Sequence, residues 1–412
     1  MTLASYSFLS ALFLFREHTH RQMTFGREVA TRRSAATLTH ENRKYSSMHF
    51  RETSAEDAQS MVDGIRLITP AKGESVILPW IGYGTYRLGE KQALDATLEA
   101  IRCGYRAIDT AFIYGGEKTE ALVGQAIRKA IDEKIIQSRE EMFVTTKHWR
   151  KYHGYDASLQ CLKLSLKRLA MEYVDLWLMH WPGPAYNTMN RKNEDVEKDP
   201  FFYATTAPEE MADLRAETWR AMEDAYRQGL CRSIGVSNMS IKQLQKLKES
   251  AKIWPPAVNQ VEVHPLHPQD ELLDYCHQEG IVVQAYASLG GQDTGKQIFA
   301  QLLGEKVTKK QKCSLLDASL VIELASQLKA TPAQTLLRWG LERNCVQIPK
   351  TTSKSRMLEN AATLSICITD EQVERLKKDL RSNVIKNNPD ADVNEITRLC
   401  WRRDPLRHLD FD

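Results

Sequence analysis

From residue 62 onward the chain alternates short apolar runs with amphipathic stretches, and it does so eight times. The runs lie near 79–83, 105–109, 142–146, 173–179, 231–236, 257–262, 281–286 and 344–348. Between and after them the spacing predicts helices near 94–101, 117–132, 157–170, 213–228, 240–250, 269–279, 315–328, 354–363 and 369–380. In the first of these Leu94, Leu98 and Ile101 share one face, and Gly104 is a stop signal. The runs are apolar almost throughout, as strands covered on both faces must be. Eight such strands alternating with helices predict an α/β fold, a parallel (β/α)8 TIM barrel. Two further strand-like runs flank Lys72-Gly73 and predict a β-hairpin ahead of the barrel. An open doubly wound sheet is the alternative, and it wants G-x-G-x-x-G after the first strand. The one candidate, Gly82-Tyr83-Gly84-Thr85-Tyr86-Arg87, has arginine at the third glycine position.

Residues 1–60 read differently. A short apolar run, 2–15, precedes a basic stretch with Arg16, Arg21, Arg27, Arg32, Arg33, Arg43 and Lys44. A secretory signal, a mitochondrial presequence and a dispensable extension ahead of Met48 or Met61 all compete here. On each reading 1–60 is an N-terminal extension, disordered or targeting; 61–385 form the barrel and 386–412 a C-terminal tail. That tail carries weak helical signals and two aromatic anchors, Trp401 and Phe411. It either folds back over the barrel mouth or lies loose.

Other function classes are excluded by balance. The 56 basic and 53 acidic residues leave a formal charge of +3, with no basic stripe for nucleic acid. No run approaches the ~18 apolar residues that a membrane-spanning helix needs. The eight cysteines, at 103, 161, 231, 276, 313, 345, 367 and 400, form no C-x-x-C pair and read as reduced thiols of a cytoplasmic protein, or of a mitochondrial one if 1–47 are a presequence. No metal is expected: His264 and His267 are held out of helical presentation by Pro265 and Pro268, and His148 and His153 lack partners at ligand spacing.

The chemistry gathers where strands end. Asp109 ends the second strand, with Tyr114 five residues on; Lys147 ends the third and His180 the fourth. Ser237 and Asn238 end the fifth, Gln260 and Glu262 the sixth, Tyr286 the seventh and Lys350 the eighth. On a barrel these ends converge on one face. The two long irregular stretches, 182–212 and 289–314, also follow strand carboxyl ends, where barrel enzymes carry substrate and cofactor loops. A tyrosine near pKa ~10 is a poor acid at neutral pH, and a lysine beside it would lower that value. Asp109 could hold such a lysine, and a neutral His180 could orient a carbonyl.

The stretches G-Y-R-A-I-D-T-A, V-T-T-K-H-W, L-W-L-M-H-W-P, I-G-V-S-N, V-N-Q-V-E-V-H-P and I-P-K-T-T-S-K-S-R-M-L-E-N resemble, in order, motifs of the aldo-keto reductases. The resemblance runs from about 62 to 375. It implies an NADPH-dependent enzyme reducing aldehydes or ketones to alcohols, a monomer with a small-molecule carbonyl substrate. It implies a catalytic tetrad of Tyr114 as general acid, Lys147, Asp109 and His180. By the same resemblance Ser237, Asn238 and Gln260 hold the nicotinamide carboxamide of NADP(H), and Tyr286 stacks on its ring. Leu289 also contacts the cofactor; Lys350, Thr351 and Arg356 meet the 2′-phosphate; Glu359 and Asn360 meet the adenine. Asp293 matches an acidic residue that clasps the pyrophosphate in some members. Tyr86, Trp149, His180 and Trp181 are expected to line the substrate pocket. Two departures stand out: Tyr86 replaces the family's tryptophan in G-T-W, and Ala287-Ser288 replaces S-P after Tyr286. The alternative is an NADPH-binding regulatory subunit or redox sensor with little turnover.

Overall fold

The computed structural model describes residues 63–67, 76–183, 208–291, 302 and 314–400. The N-terminal extension, the Lys72-Gly73 turn, most of 182–212 and 289–314 with Asp293, and Trp401 and Phe411 lie outside the described residues. Chain contacts divide the molecule at Arg51, and every described residue belongs to the unit Glu52–Asp412.

Strands β1 (Gly64–Leu67) and β2 (Val76–Pro79) pair antiparallel, Ile65 opposite Leu78. Their buried residues Leu67, Val76 and Leu78 join Ala107, Phe143, Leu176, Val258, Val282 and Val346, which begin or line barrel strands, in one apolar cluster. The hairpin therefore plugs the amino-terminal end of the barrel and leaves the carboxyl end for chemistry.

Eight parallel strands follow: β3 (Tyr83–Gly84), β4 (Ala107–Asp109), β5 (Phe143–His148), β6 (Leu176–Met179), β7 (Ile234–Ser237), β8 (Val258–Glu262), β9 (Val282–Tyr286) and β10 (Cys345–Gln347). They pair in sequence order from β3 to β10. The ring closes through a parallel bridge of Ile81 to Gln347, with Gly82 N–H donating to the Gln347 carbonyl (2.8 Å) and Gln347 N–H to that of Trp80 (2.9 Å). The first barrel strand is later and shorter than the 79–83 the sequence predicts. Pro79 is spent on the hairpin, opposite Gly64, so the barrel ladder begins beyond it.

Helices α1 (Glu90–Arg102), α2 (Lys118–Asp132), α3 (Tyr155–Leu169), α4 (Pro208–Arg227), α5 (Ile241–Ser250), α6 (Asp270–Glu279), α7 (Ser319–Gln327), α8 (Pro332–Glu342), α9 (Lys354–Ala361), α10 (Asp370–Asn387) and α11 (Val393–Thr397) complete the described residues' helical set. Three begin with reciprocal capping boxes: Ser240 with Gln243, Thr331 with Gln334, and Thr369 with Gln372. Helix α8 is absent from the periodicity reading. Its polar face is narrow, Gln334, Arg338 and Glu342 at every fourth position with Arg338 donating to Glu342, beside the buried Leu336, Leu337, Trp339, Gly340 and Leu341. Helix α10 runs seven residues past the predicted 380, carried by buried Leu380 and Val384. No helix among the described residues is long and apolar enough to cross a membrane.

Helices α2 and α3 meet at Gly124. A Cβ there would lie 2.0 Å from the Leu169 carbonyl oxygen and 2.7 Å from its carbon. Backbone cannot retreat as a side chain can, so Gly124→Ala is expected to destabilise the barrel by about 1–3 kcal/mol. A lowered urea midpoint at unchanged slope would register this; an unchanged midpoint would show that the helices separate freely.

Candidate active site

Four side chains from three strand ends gather in one buried cluster. Lys147, inward-facing on β5, is fully buried, and its ammonium has three donors. All three find acceptors: Asp109 Oδ1 at 2.6 Å, the Thr110 carbonyl at 2.9 Å and Tyr114 Oη at 3.2 Å. Asp109 ends β4, and its second oxygen accepts from Gln260 Nε2 at 2.8 Å. Tyr114 opens the turn after β4 and its ring centroid lies 5.9 Å from that of His180, just past β6. Asp109 lies opposite Thr145 in the β4–β5 register, so Lys147 stands two residues further along the same face and its long side chain reaches back to the carboxylate.

The protonation pattern follows from burial. Desolvation pushes the Tyr114 phenol well above its ordinary value, and the charges of Asp109 and Tyr86 push the same way. Burial outweighs the neighbouring ammonium here, and the phenol keeps its proton. Desolvation also lowers Lys147, against the pull of Asp109. Burial first, then the charges of Lys147 and Arg150, hold His180 well below the usual imidazole range, so its ring is neutral.

Aromatic side chains surround this cluster. Tyr86 packs on Tyr114 with centroids 5.1 Å apart, Trp149 stands edge-on to His180 at 6.0 Å, and Trp181 stacks beside it at 6.4 Å. The Arg150 guanidinium lies over the Trp181 ring at 4.9 Å.

The ends of β7, β8 and β9 bring a second group against the first. Asn238 adopts a left-handed φ of 60°, which asparagine tolerates. Its Nδ2 donates to the His180 carbonyl at 2.9 Å, and its Oδ1 accepts from the Tyr286 hydroxyl at 2.7 Å. Ser237 Oγ donates to the Gln260 carbonyl at 2.7 Å, and Gln260 Nε2 also donates to Gln284 Oε1 at 2.6 Å. The amide nitrogen of Gln260 is thus engaged with Asp109 and Gln284. Leu289, half-buried, follows on the loop after β9.

A third group follows β10. Lys350 and buried Thr351 precede α9, Arg356 is exposed on its first turn, Glu359 is half-buried and Asn360 buried. Thr351 Oγ1 accepts from the Ser353 N–H at 3.1 Å, and Glu359 Oε1 accepts from Thr331 Oγ1 at 2.7 Å. Burial and then the charge of Arg87 lower the Lys350 ammonium, so Arg87 faces it from the loop after β3. His148 and His153 pack edge-to-face at 4.7 Å; burial brings His148 down to about 4 and His153 well below its ordinary value. Among the described residues no three His, Cys, Asp or Glu side chains gather as a metal would need.

The family model described as the aldo/keto reductase family matches residues 80–380. The chain belongs to the aldo/keto reductase family. Among its relatives, aldo-keto reductase family 1 member A1 of Xenopus tropicalis is 35% identical over 72% of this chain and 84% of its own length. Glycerol 2-dehydrogenase (NADP(+)) of Saccharomyces cerevisiae is 37% identical over 73% of this chain and 88% of its own. A solved aldo-keto reductase of Bombyx mori, in complex with NADP, superposes with a TM-score of 0.62 at 30% identity, covering 77% of this chain and 92% of that one.

In this aldo/keto reductase three links escaped the reading of the sequence. Arg87 was passed over, although it follows Tyr86 directly and its charge bears on Lys350. The contact of Gln260 with Asp109 joins residues 151 apart, which no local pattern reveals. Glu262, noted only as a strand end, accepts hydrogen bonds from the backbone N–H groups of Leu399 and Cys400.

Proposed function

We propose that this aldo/keto reductase reduces small aldehydes or ketones to alcohols with NADPH, Tyr114 giving the proton. The observation that carries the reading is the buried Lys147 ammonium divided between Asp109, the Thr110 carbonyl and the Tyr114 hydroxyl, with neutral His180 alongside.

The residues present fit the cofactor. The linked polar groups of Ser237, Asn238 and Gln260 stand beside the tetrad and suit a carboxamide, and Tyr286, tied to Asn238, offers a ring for stacking. Lys350 with Arg87 provides paired positive charge for phosphate, and Thr351 and Arg356 at the start of α9 extend it. Glu359, Asn360 and Leu289 would complete the contacts. When bound, NADPH would supply the hydride that reduction of a carbonyl carbon needs. Tyr114 and His180 fix the carbonyl oxygen, and Tyr114 releases its phenolic proton to it. Lys147 steadies the phenolate that forms, and Asp109 keeps Lys147 in reach. Tyr86, Trp149 and Trp181 exclude water and shape the space for the substrate. On this reading 61–385 form the catalytic barrel and 386–412 its tail, and the enzyme works as a monomer.

NADPH oxidation with a panel of aldehydes, ketosteroids and sugars tests the reading; no turnover across the panel would contradict it. The cofactor preference has its own test. Loss of a charge-assisted contact to phosphate is worth about 1.5–3 kcal/mol, so Lys350→Ala is expected to weaken NADPH by about tenfold or more. NADH, without the 2′-phosphate, should be far less affected. Equal losses in a fluorescence titration would remove Lys350 from the phosphate site.

A further inference from the structure

Glu262 has no part in the proton and hydride chemistry above, yet it is buried at the end of β8, beside the tetrad's own strand ends. A buried carboxylate is costly unless its oxygens are satisfied. Here the donors come from far along the chain. Oε1 accepts the backbone N–H of Leu399 at 2.6 Å and that of Cys400 at 3.1 Å, and Oε2 accepts Cys400 N–H at 3.1 Å. From behind, His264 Nε2 lies 3.0 Å from Oε1. His264 Nδ1 accepts the His267 N–H at 3.2 Å, so the ring proton sits on Nε2 and donates to Glu262.

The clasped segment lands on the loop that follows Tyr286. Glu262 is the register partner of Tyr286 across β8 and β9. Gly291, in the left-handed region at φ 69°, touches Cys400: a Cβ there would lie 2.8 Å from its sulfur. The charges of Glu262, Cys400 and Arg398 all bear on the Tyr286 phenol, after the larger effect of its burial. Leu399 is fully buried in the core that surrounds the barrel. Arg381 of α10 braces the same corner, donating to the Leu266 carbonyl at 2.8 Å and to Asn394 Oδ1 at 2.9 Å.

We infer that Glu262 is a positioning residue: it clasps the C-terminal segment at Leu399–Cys400 against the Tyr286 loop, and so slows the release of NADP(H). The inference rests on the reading of Tyr286 as the ring that stacks on the nicotinamide. The tail of this enzyme thereby governs cofactor residence through the protein backbone, at the end of the strand opposite to the hairpin plug. Two peptide N–H groups on one carboxylate are strong hydrogen bonds, and they hold main chain rather than side chain, so the identity of residues 399 and 400 matters less than the presence of the carboxylate.

The experiment measures NADPH dissociation by stopped-flow fluorescence in the full-length enzyme, in Glu262→Ala, in Glu262→Gln, in a chain ending at Arg398, and in that shorter chain carrying Glu262→Ala. Glu262→Ala and the shorter chain are each expected to release NADPH about tenfold faster, with KM for NADPH raised to match. Single-turnover reduction from pre-bound NADPH should stay within about twofold of the parent, which separates binding from chemistry. Glu262→Gln keeps one acceptor oxygen and should recover most of the residence time, which also guards against misreading a variant that merely folds badly. In the shorter chain Glu262→Ala should add nothing to NADPH release, because the tail N–H groups it clasps are gone and only His264 still meets it. Unchanged release in Glu262→Ala, or an additive effect in the shorter chain, would overturn the clasp. Tyr286→Ala separates the two levels. If it weakens NADPH while Glu262→Ala does not, the clasp alone fails. If neither change is felt, the placement of the cofactor on Tyr286 fails with it.

Discussion

Replacing Tyr114 by Phe is expected to lower aldehyde reduction by about 10²–10⁴-fold, the usual worth of a positioned acid, and to leave NADPH binding nearly intact. The ring is retained, so its packing against Tyr86 and His180 survives; only the hydroxyl that Lys147 touches is removed. That hydroxyl carries its proton at neutral pH and sits on a cation able to stabilise its loss. Steady-state rates with a reactive aldehyde, beside a fluorescence titration of NADPH, measure both halves. Undiminished turnover would assign the proton to another group, and lost NADPH binding would mean that the hydroxyl has a structural duty.

Lys147→Met should do more harm to the fold than Tyr114→Phe and comparable harm to the rate. Removing one partner of a buried pair leaves an uncompensated charge, which costs about 3–5 kcal/mol. Asp109, 4% exposed, would keep Gln260 Nε2 as a donor and lose its cation. The combined variant Asp109→Asn with Lys147→Met removes both charges and should regain most of that stability while remaining inactive. Denaturant midpoints and reduction rates on the three proteins separate the structural share from the chemical one. A double variant no more stable than Lys147→Met alone would show that the pair is not what the buried site depends on.

Much of this site was legible because a barrel turns position along the strand into position in space. Asp109, Lys147, Ser237 and Tyr286 each lie at or next to the carboxyl end of a strand, Gln260 two residues before one, and neighbouring parallel strands bring such ends together. Capping chemistry went unread: Thr331-Pro332 with Gln334 marks the start of α8, which periodicity passed over. What was not legible is what depends on burial and on distant chain. The degree of enclosure around Tyr114 reverses the direction in which its proton affinity moves, and no composition discloses it. The same holds for the tail. Trp401 and Phe411 drew attention as aromatic anchors and lie outside the described residues, whereas the contacts that bring 381–400 back to the barrel include the aliphatic Leu399, two backbone N–H groups and the Arg381 guanidinium.

The pH dependence of kcat/KM for a test aldehyde, taken at saturating NADPH, bears most directly on Tyr114 as the proton donor. A donor is active while protonated, and burial raises its affinity for the proton, so activity should be lost only as pH rises on the alkaline side. His180 is active while neutral, and burial lowers its affinity, so activity should be lost only well below the ordinary imidazole range. The profile should therefore be level from about pH 6.5 to about 8.5, with the alkaline fall belonging to Tyr114 and Lys147 together and absent from the residual rate of Tyr114→Phe. A wild-type rate that instead falls steadily between about pH 6 and about 8 would contradict the phenol as donor and assign the proton to an imidazole.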